Sequence, residues 1–319
     1  MSRLLLLLIL LAIFSLPVLA NSAPLHQQVT IVPHWEQGDR FELVLTRTRE
    51  KAVNGQSTVS GKTETHVMLE VLKANKDGYL VGWTAGDTTF DVPTASESLV
   101  RQIVGLMKGL QIVLQINPQG TITGVQNWNE LKRETVKVLD DLLAKTSHLP
   151  QENSDRVALS HLRTQWESVF ATKEQIERLC TRDAQMYFLA LGRAYGSEQP
   201  YEYEDRLPNP LGGEAFPAHA KILLTALDEQ AKQATLTWSH TADPQQATRI
   251  VQSMIKDLAS KRGKSTPDGI IAQPIAIDDT AEITVNVRTG WITTLTRKQS
   301  IQLGTRVQTD KTSIVKVVR

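Results

Sequence analysis

Glu202 and Glu204 alternate with Tyr201 and Tyr203 in the stretch YEYE. Carboxylates two residues apart on a strand share a face at roughly 6–7 Å, a separation that suits the paired acid and base of a glycosidase. Such pairs normally come from different elements around an aromatic groove, and only 5% of this chain is aromatic. The pair reads better as an acidic strand edge that discourages pairing with another chain. Ser253 and Lys256 form an S-x-x-K on a helix, with Arg288-Thr289-Gly290 later, an arrangement used by serine penicillin-binding enzymes. No S-x-N lies between the two, and their spacing is too short for that fold. GKST at 263–266 copies the end of a phosphate loop, but position 258, where the first glycine belongs, is leucine. The stretch also follows a helix, whereas the motif needs a strand-to-helix turn to aim its N–H groups at phosphate. The histidines, His26, His34, His66, His148, His161, His219 and His240, are scattered, with no H-x-H, no H-E-x-x-H and no cysteine pair. They give a zinc site no local support, although sheet pairing can bring His34 and His66 together. A G-x-S-x-G nucleophile elbow is also absent. The chain is therefore expected to be non-enzymatic, with no catalytic, cofactor-binding or metal-binding residues and no cofactor.

The elements that carry these residues follow an N-terminal stretch of distinct character. MSRLLLLLILLAIFSLPVLANSAP joins a basic Arg3 to an apolar run from Leu4 to Leu16, then Pro17 and the small-residue ending Val18-Leu19-Ala20. That is the pattern of a secretory signal peptide, residues 1–20, cleaved near Ala20. The run is shorter than the roughly 20 residues a bilayer span needs, and no second long apolar run follows. The expected location is periplasmic or secreted, soluble after cleavage and without a transmembrane segment. Lys plus Arg number 35 and Asp plus Glu 34, and losing Arg3 leaves 34 against 34. Such a balance argues against nucleic acid as a partner. The one cysteine, Cys180, cannot form an internal disulfide, so a packed core must hold the chain together. Its place on an apolar helix face reads as a buried, inert thiol.

Periodicity then divides the mature chain, residues 21–319, taken as one domain. Gly38-Asp39 turns into a strand carrying Phe41, Leu43 and Leu45 on one face, and NGQ at 54–56 turns into a strand over 62–74. Asp77-Gly78 opens a third strand with Tyr79, Val81 and Trp83 on one side. A short helix is expected over 96–110, then a hairpin over 110–125 that contains GTITGV. Helical spacing takes over in an insertion at 127–195. Its first helix has Trp128, Leu131, Val138 and Leu142 on one face, and a second covers 154–170. A third starts from a Thr172/Gln175 capping box and buries Ile176, Leu179, Cys180, Ala184, Tyr187 and Leu191. After extended segments, Asp243 and Pro244 begin a helix striped with Ala247, Val251, Met254 and Leu258. Three strands containing GWITTL at 290–295 close the chain. The fold class is α+β: a curved antiparallel sheet from N- and C-terminal meanders, with a helical insertion and additional packing helices.

VMLEVL at 67–72, residues 79–83 and parts of 283–295 are apolar on both faces. A sheet built from them must be covered on both sides, by helices, another sheet or a ligand. Val67, Leu69, Val71, Tyr79, Val81, Trp83 and Trp291 are the residues expected to line such a ligand.

The G-D-x-F-x-L strand, the I-N-P-x-G-x-I-T-G-V hairpin running into a helix, and the terminal T-G-W-I-T pair resemble a family of exported bacterial proteins of unknown function. The layout is loosely similar to periplasmic lipoprotein-carrier folds, in which a curved antiparallel sheet wraps helices around an apolar cavity. The doubly apolar sheet in an exported chain leads to the expectation of a protein that binds or carries a lipid or other apolar or amphipathic ligand. The alternative is a structural or protein-interaction role in envelope assembly with an envelope protein as partner. A hydrolase is the remote third reading.

Overall fold

The computed structural model describes residues 28–91, 105, 108–146, 172–207, 209, 214–261 and 275–317. The expected signal peptide, most of the 96–110 helix, the 154–170 helix and GKST lie outside the described residues, as do His26, His148 and His161.

One eleven-stranded antiparallel sheet dominates. Its N-terminal part is a meander of β2 (Arg40–Val53), β3 (Gln56–Asn75), β4 (Gly78–Asp91), β5 (Gln111–Ile116) and β6 (Ile122–Val125). Its C-terminal part is a second meander: β8 (Tyr201–Leu207), β9 (Phe216–Asp228), β10 (Gln233–Ala242), β11 (Ile275–Asn286), β12 (Ile292–Leu303) and β13 (Arg306–Lys316). The two join where β13 pairs with β2 from Arg306↔Val53 to Lys316↔Leu43. The sheet is curved and does not close, since β6 and β8 remain its two edges. A separate ribbon pairs β1 (Gln28–Ile31) with β7 (Arg193–Gly196). Among the described residues, four helices join these strands: α1 (Trp128–Thr146), α2 (Lys173–Cys180), α3 (Arg182–Tyr187) and α4 (Pro244–Lys261). The α+β class and its antiparallel meanders are as the periodicity indicates. The third strand starts at Gly78 itself, paired with Asn75, so Lys76 and Asp77 make the turn.

Alternation along the strands gives the sheet a buried inner face, most regularly on β11. Along β11, Ile275, Ile277, Asp279, Ala281, Ile283 and Val285 point inward and are buried, while Asp278, Thr280 and Glu282 are exposed. Two apolar clusters cover this inner face. The larger holds Leu43, Leu69, Leu114, Leu236, Ile283 and Leu295 against Leu131 of α1, Ile176 of α2 and Tyr187 of α3. The smaller packs Ala247 and Val251 of α4 against Phe216, Ala218, Ala242, Ile275 and Ile277.

The helix starts follow their caps. Thr172 accepts the Gln175 N–H at 3.3 Å while the Gln175 side chain accepts the Thr172 N–H at 3.1 Å. Asp243 accepts the N–H groups of Gln245 and Gln246, both at 2.9 Å, and Pro244 sits where no donor is needed. The third helix departs from expectation: Leu179 is 51% exposed and Cys180 only half-buried. The helix breaks at Thr181, whose hydroxyl donates to the Glu177 carbonyl at 2.7 Å. α2 and α3 are therefore separate pieces, and the stripe does not run continuously through Leu179.

GTITGV and GWITTL share a device. Asn117 Oδ1 accepts the N–H groups of Gln119 and Thr121 around Gly120, and Asn286 Oδ1 accepts those of Arg288 and Thr289 ahead of Gly290. Both glycines have positive φ, +93° and +75°, and both lie against segments next to the β1–β7 ribbon: a Cβ at Gly120 would meet Leu191, one at Gly290 the Val32 carbonyl.

Candidate binding site

Where the two apolar clusters meet, the inner face turns polar. Register aligns His240 with Asp279, Asp279 with Gln299, Gln299 with Asp310, and Asp310 with Arg49. The row therefore crosses β10, β11, β12, β13 and β2 in one line. On β10, Leu236 and Trp238 belong to the larger cluster and Ala242 to the smaller, with His240 between them.

Each member is held in a defined way. Asp279 is fully buried and accepts from Arg297 Nε at 2.7 Å, from Arg297 Nη2, and from Gln299 Nε2 at 3.0 Å. A buried carboxylate survives only with such multiple donors. Asp310 accepts Arg49 Nε at 2.6 Å and Nη2 at 3.1 Å, and Gln308 Nε2 at 3.1 Å. His240 is 5% exposed, and its Nε2 is buried without a hydrogen-bond partner among the described residues. The nearest carboxylate oxygen, Asp205 Oδ2, is 3.8 Å away. Burial pushes the His240 pKa below its ordinary value; Asp205 and Asp279 pull it back up, and Arg297 opposes them.

Above this row lies a cavity of about 730 Å³, within the range of small-molecule sites. Its polar wall includes Arg49, Asp310, Asp279, Arg297 and His240. The apolar wall is Leu179, Met186 and Leu189 from the helical side, with Leu207, Ile277 and Ile301 from the sheet. A second hollow of about 520 Å³ adjoins it, sharing Leu179, Arg182, Met186 and Arg297. Apolar surface beside fixed charge is the chemistry that receives an amphipathic molecule.

A hollow of similar size, about 740 Å³, lies on the opposite face of the sheet. Its lining mixes hydroxyl and charged side chains such as Thr280, Thr296, Lys298 and Glu282 with the apolar Leu223 and Pro200. A fourth hollow, of about 660 Å³, has Lys316 over the ring of Phe41 at 4.0 Å, beside Trp291. There the lysine ammonium already occupies the aromatic face.

The residues singled out from sequence fall elsewhere. Val67, Leu69, Val71, Val81, Trp83 and Trp291 are buried in the larger cluster, and Tyr79 packs against it. Of the seven, only Trp291 borders one of these hollows. Trp291 also stacks on Trp35 with ring centroids 4.2 Å apart. Glu202 and Glu204 are exposed on edge strand β8 and flank His219 of β9, with oxygens 3.8 and 3.0 Å from its ring nitrogens. His66 lies 2.5 Å from Glu42, and His34 donates its backbone N–H to Thr289. Ser253 and Lys256 are exposed on α4. Cys180 is half-buried, and burial pushes its thiol up to about 11. Among the described residues no helix is long and apolar enough to cross a membrane.

The polar row was not anticipated from sequence. Its signal is a charged or imidazole residue at an inward position of an otherwise apolar alternation, as at His240 and Asp279.

No protein-family description matches the chain, and no curated protein matches it. Among solved structures it is loosely similar to lipovitellin, in a structure described by its lipid–protein interactions, with a TM-score of 0.44 and 6% sequence identity. The match covers 89% of this chain and 25% of the lipovitellin chain, so this chain spans about a quarter of that protein's length.

Proposed function

We propose that this chain is an exported, non-catalytic protein that binds an amphipathic ligand between α2–α3 and the inner face of its sheet. One observation carries the reading: a cavity of about 730 Å³ has an apolar wall facing a row of fixed polar groups. A purely apolar ligand would leave the row unsolvated, and a purely polar one would leave Leu179, Met186 and Leu189 against water. Export is supported by the signal-peptide pattern at residues 1–20. Binding is favoured over catalysis because the groups with catalytic potential are dispersed: Glu202 and Glu204 on an edge strand, Ser253 on α4, His66 against Glu42.

Dansyl-labelled undecanoate tests the site. Saturable binding with blue-shifted emission is expected, weakened by Leu179→Asp, a change on an exposed side chain that leaves the core intact. Binding that is absent, or equal in the variant, contradicts the assignment.

A further inference from the structure

We infer that the polar end of the ligand is an oxyanion, a carboxylate or a phosphate, received by Arg178 and Arg182; the inference rests on the amphipathic-ligand reading above. The walls of the cavity carry five arginines, Arg49, Arg178, Arg182, Arg206 and Arg297, against three aspartates, Asp205, Asp279 and Asp310. On the sheet, Arg49 pairs with Asp310, Arg297 with Asp279, and Arg206 lies 3.9 Å from Glu214. Surplus positive charge therefore sits on the helical side.

The acidic residues of those helices are committed elsewhere. Glu177 accepts the Val125 N–H at 2.8 Å and lies 3.6 Å from Lys173. Asp183 pairs with Arg47, and Glu174 sits in the first turn of α2, stabilised by backbone N–H and by Thr172. Arg178 and Arg182 are left without an ion-pair partner among the described residues, four positions apart and bordering the same cavity. A guanidinium presents its donors in a planar fork that matches carboxylate and phosphate oxygens. At the floor, the unpartnered Nε2 of His240, a residue only 5% exposed, offers one further polar contact.

The head, rather than the chain, then determines selectivity. An uncharged amphiphile would gain the same contacts to Leu179, Met186 and Leu189 and nothing from the arginines. A free oxyanion would gain the arginines without the apolar wall.

Isothermal titration calorimetry with dodecanoate, dodecyl phosphate, dodecanol and inorganic phosphate separates these cases. Wild-type protein is expected to bind one or both dodecyl anions more tightly than dodecanol. The double variant R178Q/R182Q should weaken that binding by about tenfold or more, since each hydrogen bond to a charged group is worth that much, while dodecanol binding stays unchanged. Both arginines are exposed, and an unchanged circular dichroism melt confirms an intact fold. If anions and dodecanol bind equally, or the double variant keeps its anion affinity, the oxyanion assignment is wrong and the amphipathic reading stands. If no dodecyl compound binds, or inorganic phosphate alone binds, both fall. Tight binding of dodecanoate but not dodecyl phosphate assigns the head as carboxylate; the reverse assigns phosphate.

Discussion

Arg297 grips Asp279 through two nitrogens at the boundary between two apolar clusters, and Asp279 has no exposure to water. The same polar row ends in a second two-pronged pair, Arg49 with Asp310, whose arginine side chain is 56% exposed. One row thus contains a buried and a wetted version of the same interaction.

The two versions should differ sharply in unfolding experiments. Arg297→Met leaves Asp279 charged and buried with only Gln299, and is expected to cost about 3–5 kcal/mol. Removing both partners, as Asp279→Leu with Arg297→Met, should recover much of that loss. Arg49→Met is expected to cost less than about 1 kcal/mol. Urea unfolding of the three variants checks the order, and equal losses would contradict it.

His240 gives stability a pH dependence of known sign. Burial lowers its folded pKa below the unfolded value of 6.5, so the unfolded chain binds more protons in the window between the two. Its contribution is fully present above pH 6.5 and declines as pH falls through that window. Asp205 and Asp279 moderate the decline, and Arg297 adds to it. Urea midpoints measured from about pH 7.5 down to about pH 5 should fall less steeply in His240→Gln. An identical slope in the variant would show that His240 is not the group responsible.

Gly290 and Gly38 both hold positive φ, but only Gly290 is crowded: a methyl added there would stand 2.5 Å from the Val32 carbonyl oxygen. Gly38→Ala should cost about 1–2 kcal/mol, the penalty of left-handed backbone alone. Gly290→Ala adds the collision and should cost more. Thermal melts of the two variants decide this, and equal shifts would contradict the packing of that turn against Val32.

Cys180 should react slowly. A thiol at about 11 is only about one-thousandth thiolate at pH 8. Modification by a disulfide reagent is expected to be far slower than that of free cysteine and to speed up in urea. Labelling at the free-thiol rate in the native protein would contradict its half-buried setting.

The alternation of Phe41, Leu43 and Leu45, the NPQG turn and the Thr172/Gln175 box made the meanders and helix starts legible in the sequence. Local spacing determines each of them. The site was not legible, because His240, Asp279, Gln299, Asp310 and Arg49 come from five strands and meet only through register. Apolarity alone marked Val67, Leu69 and Val81, and apolarity does not distinguish a packed interior from the wall of a cavity. Leu179 fell outside its expected stripe because Thr181 divides the helix, which a 3.6-residue period cannot register.

Native mass spectrometry of the protein, isolated without detergent from the cells that make it, tests the central claim most directly. The expected spectrum is the chain mass plus one bound amphiphile with an acidic head, regained when stripped protein is incubated with dodecanoate. A bare chain mass, with no adduct after incubation with dodecanoate, dodecyl phosphate or dodecanol, would contradict a binding function for this cavity.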